Sequence, residues 1–292
     1  MRLLDRKHID LEKWDNLVAQ SGATVFSTSA YLDAVAQNWC VLVDDEYSKG
    51  IAIPYTNRFN VKIAYTPVFL RYVELIHGDF DEHVMDLIKS FFPIGELNLR
   101  HVTVHGNSKH FQELKSTAQF KLNDQGRRMI RKFEASDLQW EETNDLKLIT
   151  DMIEAELPKK VVSLHPSFKE LVQLVRNLEN QGCLKSFIVK KNNLVVGGIF
   201  FVQFSGRLLY LKSAFTDEAK KAGAMYYILS EKITDALEQG FVFDFGGSNA
   251  ENVRRFNLHF GAKDVQYSSV LWGKLPFWYR WMKRLRQVFK AG

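Results

Sequence analysis

The sequence predicts a mixed α/β (α+β) chain of two tandem domains, each a mixed, mostly antiparallel sheet flanked by helices. Three observations lead to that class. The 292 residues suffice for two modest cores. From residue 138 onward, helical and strand periodicities alternate in a definite order, and the first 125 residues repeat a plainer version of it. With 46% apolar and 25% charged residues the composition is that of a folded globular protein, which excludes disorder as an account of the chain.

In the second half a strand is expected over 138–142, then a helix over 144–156 stopped by Pro158. A second helix over 167–180 carries Phe168, Leu171, Val172, Leu174, Val175 and Leu178 on its apolar side and ends at Gly182. Strands over 185–190, 194–204 and 207–215 are joined by the Asn192-Asn193 and Ser205-Gly206 turns, which are hairpin signals. The stretch TDEAKKAGA reads as a loop into a helix over 222–238 that stops at Gly240. Phe241, Val242, Phe243 and Phe245 then make a short apolar strand interrupted by Asp244. A carboxylate inside such a strand must find hydrogen bonds or act on something. Gly246 and Gly247 permit a sharp turn, Ser248 or Asn249 can cap the next helix, and Gly261 ends it. A strand over 267–272 closes the sheet.

The first half reads as helices over 11–21 and 29–38, strands over 39–44, 50–57 and 61–65, a helix over 81–92 and a strand over 96–101. The polar KLNDQGRR stretch places the boundary near 123–131. The expected units are therefore 1–125, 126–273 and a terminal segment, 274–292.

Cys40 and Cys183 are far apart, so neither a disulfide framework nor a thiolate metal site is suggested, and a reducing compartment fits. The charged N-terminus lacks a signal-peptide core and no window spans a membrane, which points to the cytoplasm. The net charge of +5 is concentrated: Lys274, Arg280, Lys283, Arg284, Arg286 and Lys290 lie in the last segment, and without these six the chain stands at −1. That segment repeats Phe277, Trp278, Trp281, Met282, Leu285, Val288 and Phe289 at helical spacing. It could lie on an anionic bilayer, giving peripheral contact with the inner membrane face, or pack on the first domain. Charge confined to one terminal helix argues against DNA as a partner.

The element order of the second half resembles the GNAT acyltransferase fold, and three motifs narrow the resemblance. The opening WDNLVAQSGATVFSTSAYLDAVAQNWCVLVDDEY, the segment RRMIRKFEAS, and FDFGGS followed by VRRFNLHFGA are similar to the FemABX-like branch, including bacterial BioF2-like acetyltransferase domains. RRMIRKFEAS has Met129 and Phe133 where that branch usually has Asn and Ala. The resemblance implies two GNAT-like domains with a cleft between them, and a bacterial N-acyltransferase. The acetyl, other acyl or aminoacyl group would pass from acyl-CoA, with acetyl-CoA the first choice, or from aminoacyl-tRNA. The acceptor would be an amine of a small or cell-envelope-related molecule. A catalytically silent protein that binds a sugar, peptide or membrane-linked partner is the alternative.

Acyl transfer to an amine needs a polarised donor carbonyl and a place for the proton. Asp244 is the first candidate, as orienter or base, against the alternative that it ties the glycine turn. Donor binding falls on the backbone of Leu211, Lys212 and Ser213 and on the phosphate-type loop Lys220, Lys221, Gly223 and Ala224, where a helix N-terminus suits an anion. Substrate binding falls on Ser248, Asn249, Arg131, Lys132 and Arg254, though basic runs are also simply solvated faces. Tyr226 and Tyr227 read as core. His101 and His105 share a strand face but lack a partner that completes a metal site, so no metal is expected; His165 and His259 stand alone.

Overall fold

The computed structural model describes residues 1–58, 60–101, 106–156, 167–247 and 250–273, and their strands join in one twelve-stranded sheet. The first half supplies β1 (Arg2–Asp5), α1 (Leu11–Gln20), α2 (Ser29–Val35), β2 (Asn38–Val43), β3 (Gly50–Arg58), β4 (Val61–Tyr65), α3 (Glu82–Phe91), β5 (Ile94–Leu99) and β6 (Asn107–Leu114). Helix α4 (Asp124–Glu134) leads to β7 (Leu138–Glu142), α5 (Leu146–Glu156), α6 (Ser167–Asn180), β8 (Leu184–Lys191), β9 (Leu194–Phe204) and β10 (Arg207–Phe215). The chain finishes with α7 (Asp217–Ala222), α8 (Ala224–Glu238), β11 (Val242–Asp244), α9 (Glu251–Leu258) and β12 (Lys263–Trp272).

Each half follows one pairing plan. Strands β1 to β4 are antiparallel and β4 runs parallel to β5; β7 to β10 are antiparallel and β10 runs parallel to β11. The last strand of each half is then exchanged. β12 pairs with β5, β6 pairs with β11, and β6 and β12 lie side by side in the middle. Ser268, for example, faces Leu99 on one side and Ser108 on the other. The sheet therefore runs unbroken across the expected boundary at 125–126.

Alternate side chains of β8 and β9 point to opposite faces, and helices cover both. On one face Phe187, Val189, Ile199 and Phe201 pack with Ile228, Leu229 and Ile233 of α8. On the other, Ile188 and Phe200 pack with Ile149 of α5 and with Leu171 and Val175 of α6. Burying each such side chain contributes roughly 1.5–3 kcal/mol before entropy is counted. The first half has its own core around Trp14, Tyr31, Tyr72 and Phe92, and it reaches across to Leu174 and Leu178 of α6. Asn177 strengthens that contact by donating Nδ2 to the Ala30 carbonyl at 2.8 Å.

Four expectations are corrected. β1 and β6 are strands that the pattern did not predict, and β12 begins at Lys263 instead of 267. TDEAKKAGA is not a loop: Thr216 accepts from the Ala219 amide as N-cap of α7, and Gly223, at φ +90, separates α7 from α8. His101 lies past the end of β5 with φ 54, off the strand face on which it was expected to meet His105; His105 lies outside the described residues.

Candidate active site

β10 and β11 stay together for three pairs, Arg207 with Val242, Leu208 with Phe243 and Leu209 with Asp244. Beyond Leu209, β10 continues to Phe215 along β9, whereas β11 ends. One edge of β10 from Tyr210 onward is thus left unpaired by any described strand. Within that stretch the ladder with β9 passes from Tyr210–Phe201 to Lys212–Phe200 and skips Leu211. Such a bulge takes one residue out of the ladder and re-aims its backbone groups. The Tyr210 hydroxyl and Ser213 Oγ lie 2.6 Å apart across it. Burial pushes the Tyr210 phenol up to about 12, against the opposing Ser213 hydrogen bond, so it stays neutral near pH 7.

The turn after β11 packs against the start of this edge. Gly246 has φ +76, and a Cβ there would lie 2.6 Å from the Tyr210 carbonyl, so only glycine lets the turn come this close. Its amide donates to Asp244 Oδ1 at 3.0 Å.

Asp244 itself is fully buried. Arg71 grips both its oxygens, Nη1 to Oδ2 at 2.8 Å and Nη2 to Oδ1 at 2.7 Å. Arg207 Nη1 adds a third contact to Oδ2 at 3.0 Å and also reaches Glu113 Oε2 at 2.9 Å. Glu113 in turn pairs with Lys115 at 2.9 Å. Burial alone would lower both guanidinium values, but the Asp244 carboxylate offsets it at Arg71, and Asp244 with Tyr72 and Glu113 offsets it at Arg207, so both are raised. The carboxylate is thus held by the buried Arg71, the half-buried Arg207 and a backbone amide, and each of its oxygens accepts two donors. One of these contacts, from the Gly246 amide, ties the turn to the carboxylate.

The remaining candidates separate. Leu211 and Ser213 are half-buried at the bulge, and Lys212 is exposed. At the α7–α8 junction, a Cβ on Gly223 would lie 2.2 Å from the Met129 carbonyl, so α4 occupies the space in front of it and Ala224 is buried. Here the small residue admits a helix, where the sequence suggested a phosphate. Lys220 is paired with Glu156 at 2.6 Å, Lys132 donates Nζ to the Lys221 carbonyl, and Arg131 and Lys221 are exposed. Arg254 is committed to Asp264, with Nη2 to Oδ2 at 2.6 Å. Tyr226, partly core as expected, also meets His259 Nδ1 at 2.8 Å. Ser248, Asn249, His165 and the 274–292 segment lie outside the described residues.

Sequence reasoning missed Arg71, Arg207, Glu113 and Tyr210. For Arg71 the signal was present: it is a lone charge in the run PVFLRYV, the same anomaly that singled out Asp244.

Residues 121–254 match the family model described as an acetyltransferase (GNAT) domain. That segment, a little under half of the chain, is similar to GNAT acetyltransferase domains. The match spans α4, the bulge on β10, Asp244 and the glycine turn. No curated protein matches the chain in sequence. Among solved structures it is similar to FemX, with a TM-score of 0.62 at 10% identity over 93% of this chain and 97% of that one. It is also similar to the C-terminal domain of a putative lysylphosphatidylglycerol synthetase from Agrobacterium fabrum, with a TM-score of 0.54, 11% identity, and 91% and 92% covered. A tandem GNAT protein from the clavulanic acid biosynthesis pathway gives a TM-score of 0.51 at 8% identity, over 94% of this chain and 99% of that one. At such identities the likeness is one of fold. No helix among the described residues is long and apolar enough to cross a membrane.

Proposed function

We propose that the chain is an N-acyltransferase of two GNAT-like units, 1–125 and 126–273, with its acyl donor held along the opened edge of β10. The observation that carries this reading is the bulge at Leu211, set where β10 and β11 part and where the glycine turn packs against β10. A backbone group freed from a ladder can polarise the donor carbonyl, and a fixed donor group acts most strongly where water is excluded. The amine would approach between β10 and the Gly246-Gly247 turn. Ser248, Asn249 and Arg131 are the residues proposed to meet it, and Asp244 is proposed to orient the turn. The neutral Tyr210–Ser213 hydroxyl pair supplies a hydrogen-bond donor beside the same edge.

Aminoacyl-tRNA is favoured over acyl-CoA as donor, because α4 fills the approach to Gly223 that a pyrophosphate would use. An envelope-related acceptor is supported by the fold likeness to a protein whose name is that of a lysylphosphatidylglycerol synthetase. The test is transfer of label from [14C]acetyl-CoA, or from tRNA charged with a 14C-labelled amino acid, to a panel of aminosugars, lysine peptides and lipid amines. Label in an amine product is expected; no transfer from either donor class contradicts the reading. A cytoplasmic protein brought to the inner membrane by 274–292 belongs to the same proposal, and liposome flotation beside a truncation after Gly273 tests it. The second reading, a silent binding protein, draws on one observation: both oxygens of Asp244 are held by arginines and a backbone amide.

A further inference from the structure

In the first half, the gap that opens beyond β4 and β5 is closed by the chain itself. Val73 forms a parallel bridge with Leu99, its amide donates to the Asn98 carbonyl at 2.8 Å, and the Arg100 amide returns to the Val73 carbonyl at 3.1 Å. Asn98 Nδ2 holds the Arg71 carbonyl at 2.8 Å. The backbone of Arg71 is thus fixed in the first half while its side chain reaches the second. The guanidinium lies over the ring of Phe111 on β6, 4.2 Å from its centre, and grips Asp244 of the second half at both oxygens. Its Nε is buried and has no hydrogen-bond partner among the described residues, and it stands 3.0 Å from where a Cβ of Gly247 would be. One side chain therefore touches both ends of the turn, the carboxylate that takes the Gly246 amide and the glycine after it.

We infer that Arg71 is a positioning residue: from the first half it clamps the Gly246-Gly247 turn and so sets the width of the cleft that opens in the second. Its consequence for turnover rests on the acyl-transfer reading; its clamp does not. A planar fork over an aromatic ring cannot be reproduced by an ammonium, so Arg71→Lys keeps the buried charge balanced yet loses the two-point grip. The full chain with Arg71→Lys is compared with wild type and with Arg6→Lys, which makes the same change at the two-point Arg6–Asp33 pair on the surface.

Hydrogen exchange over 243–247 is read first. Losing a hydrogen bond to a charged group should speed exchange there by at least about tenfold in Arg71→Lys, with Arg6→Lys unchanged. With whichever of acetyl-CoA or charged tRNA supports transfer, kcat should fall by about a hundredfold while KM for the donor stays within about twofold. If folded Arg71→Lys exchanges 243–247 at the wild-type rate, or exchanges faster yet keeps full kcat, the positioning role is wrong. If wild type turns over neither donor, the acyl-transfer reading falls and the exchange rates still decide the clamp.

Discussion

Asp244 and Arg71 are each a single charge in an apolar run, and in the folded chain each offsets the cost of burying the other. That explains why Asp244 was legible from sequence as unusual yet not as what it is. A lone buried carboxylate announces that it needs a partner, but sequence gives no sign that the partner lies 173 residues away. Removing one member of such a pair typically costs about 3–5 kcal/mol, so Asp244→Asn should lower the unfolding free energy measured by urea titration by an amount of that order. The double variant Asp244→Leu with Arg71→Met should lose clearly less than the two single changes together; additive losses would mean the pair is not coupled. His259 gives a pH signature. Burial holds its imidazole below the ordinary value of 6.5, so the folded chain binds that proton less readily than the unfolded one. Its contribution is complete above about pH 6.5 and is lost as pH falls through the folded value. Melting temperature should therefore drop more between about pH 7 and about pH 5 in wild type than in His259→Gln, and parallel curves would remove His259 from the account.

At the scale of elements, the strands and helices with clean periodicity were readable to within a few residues: β9 and β10 fall on 194–204 and 207–215, as their alternation predicts. The misses have physical reasons. β6 buries Gln112 and Glu113 in a central strand, where polar residues hide the strand pattern until Asp264, Asn257 and Arg207 are seen to satisfy them. The lysines of α7 suggest a phosphate loop and so mask the helix. Yet Thr216 followed by Asp217 and Glu218 is a helix-start signal, with acids in the first turn. Gly223 is legible in the sequence as a close-approach glycine, and in the folded chain the Met129 carbonyl stands beside it. Its left-handed backbone and the Met129 carbonyl in its Cβ position predict that Gly223→Ala costs more than Gly240→Ala. Gly240 shares the positive φ but has no atom within 4 Å of that position. The left-handed strain alone is about 1–2 kcal/mol, and crowding α4 adds about 1–3 kcal/mol. Equal denaturation midpoints for the two variants would show that α4 does not press on Gly223.

For the whole molecule, the exchange of β6 and β12 makes the two halves one folding unit. Residues 121–254, the part that matches the GNAT model, lack both β6 and β12 and would expose one edge of β11. Expressed alone, that segment should show no cooperative melt by circular dichroism, whereas the full chain should unfold in one transition; a segment that melts sharply would restore independence. The repeated plan was visible in the sequence because it lies in local periodicity, and the exchange was not because it lies in long-range pairing. The central claim, a cleft beside the bulge that holds an activated acyl donor, is tested most directly by the melting temperature of the full chain titrated with charged tRNA and with acetyl-CoA. The account predicts that one donor raises it with concentration, by the equivalent of about 2.7 kcal/mol at a hundred times its Kd. A chain that unfolds cooperatively at the same temperature with and without both donors would contradict it.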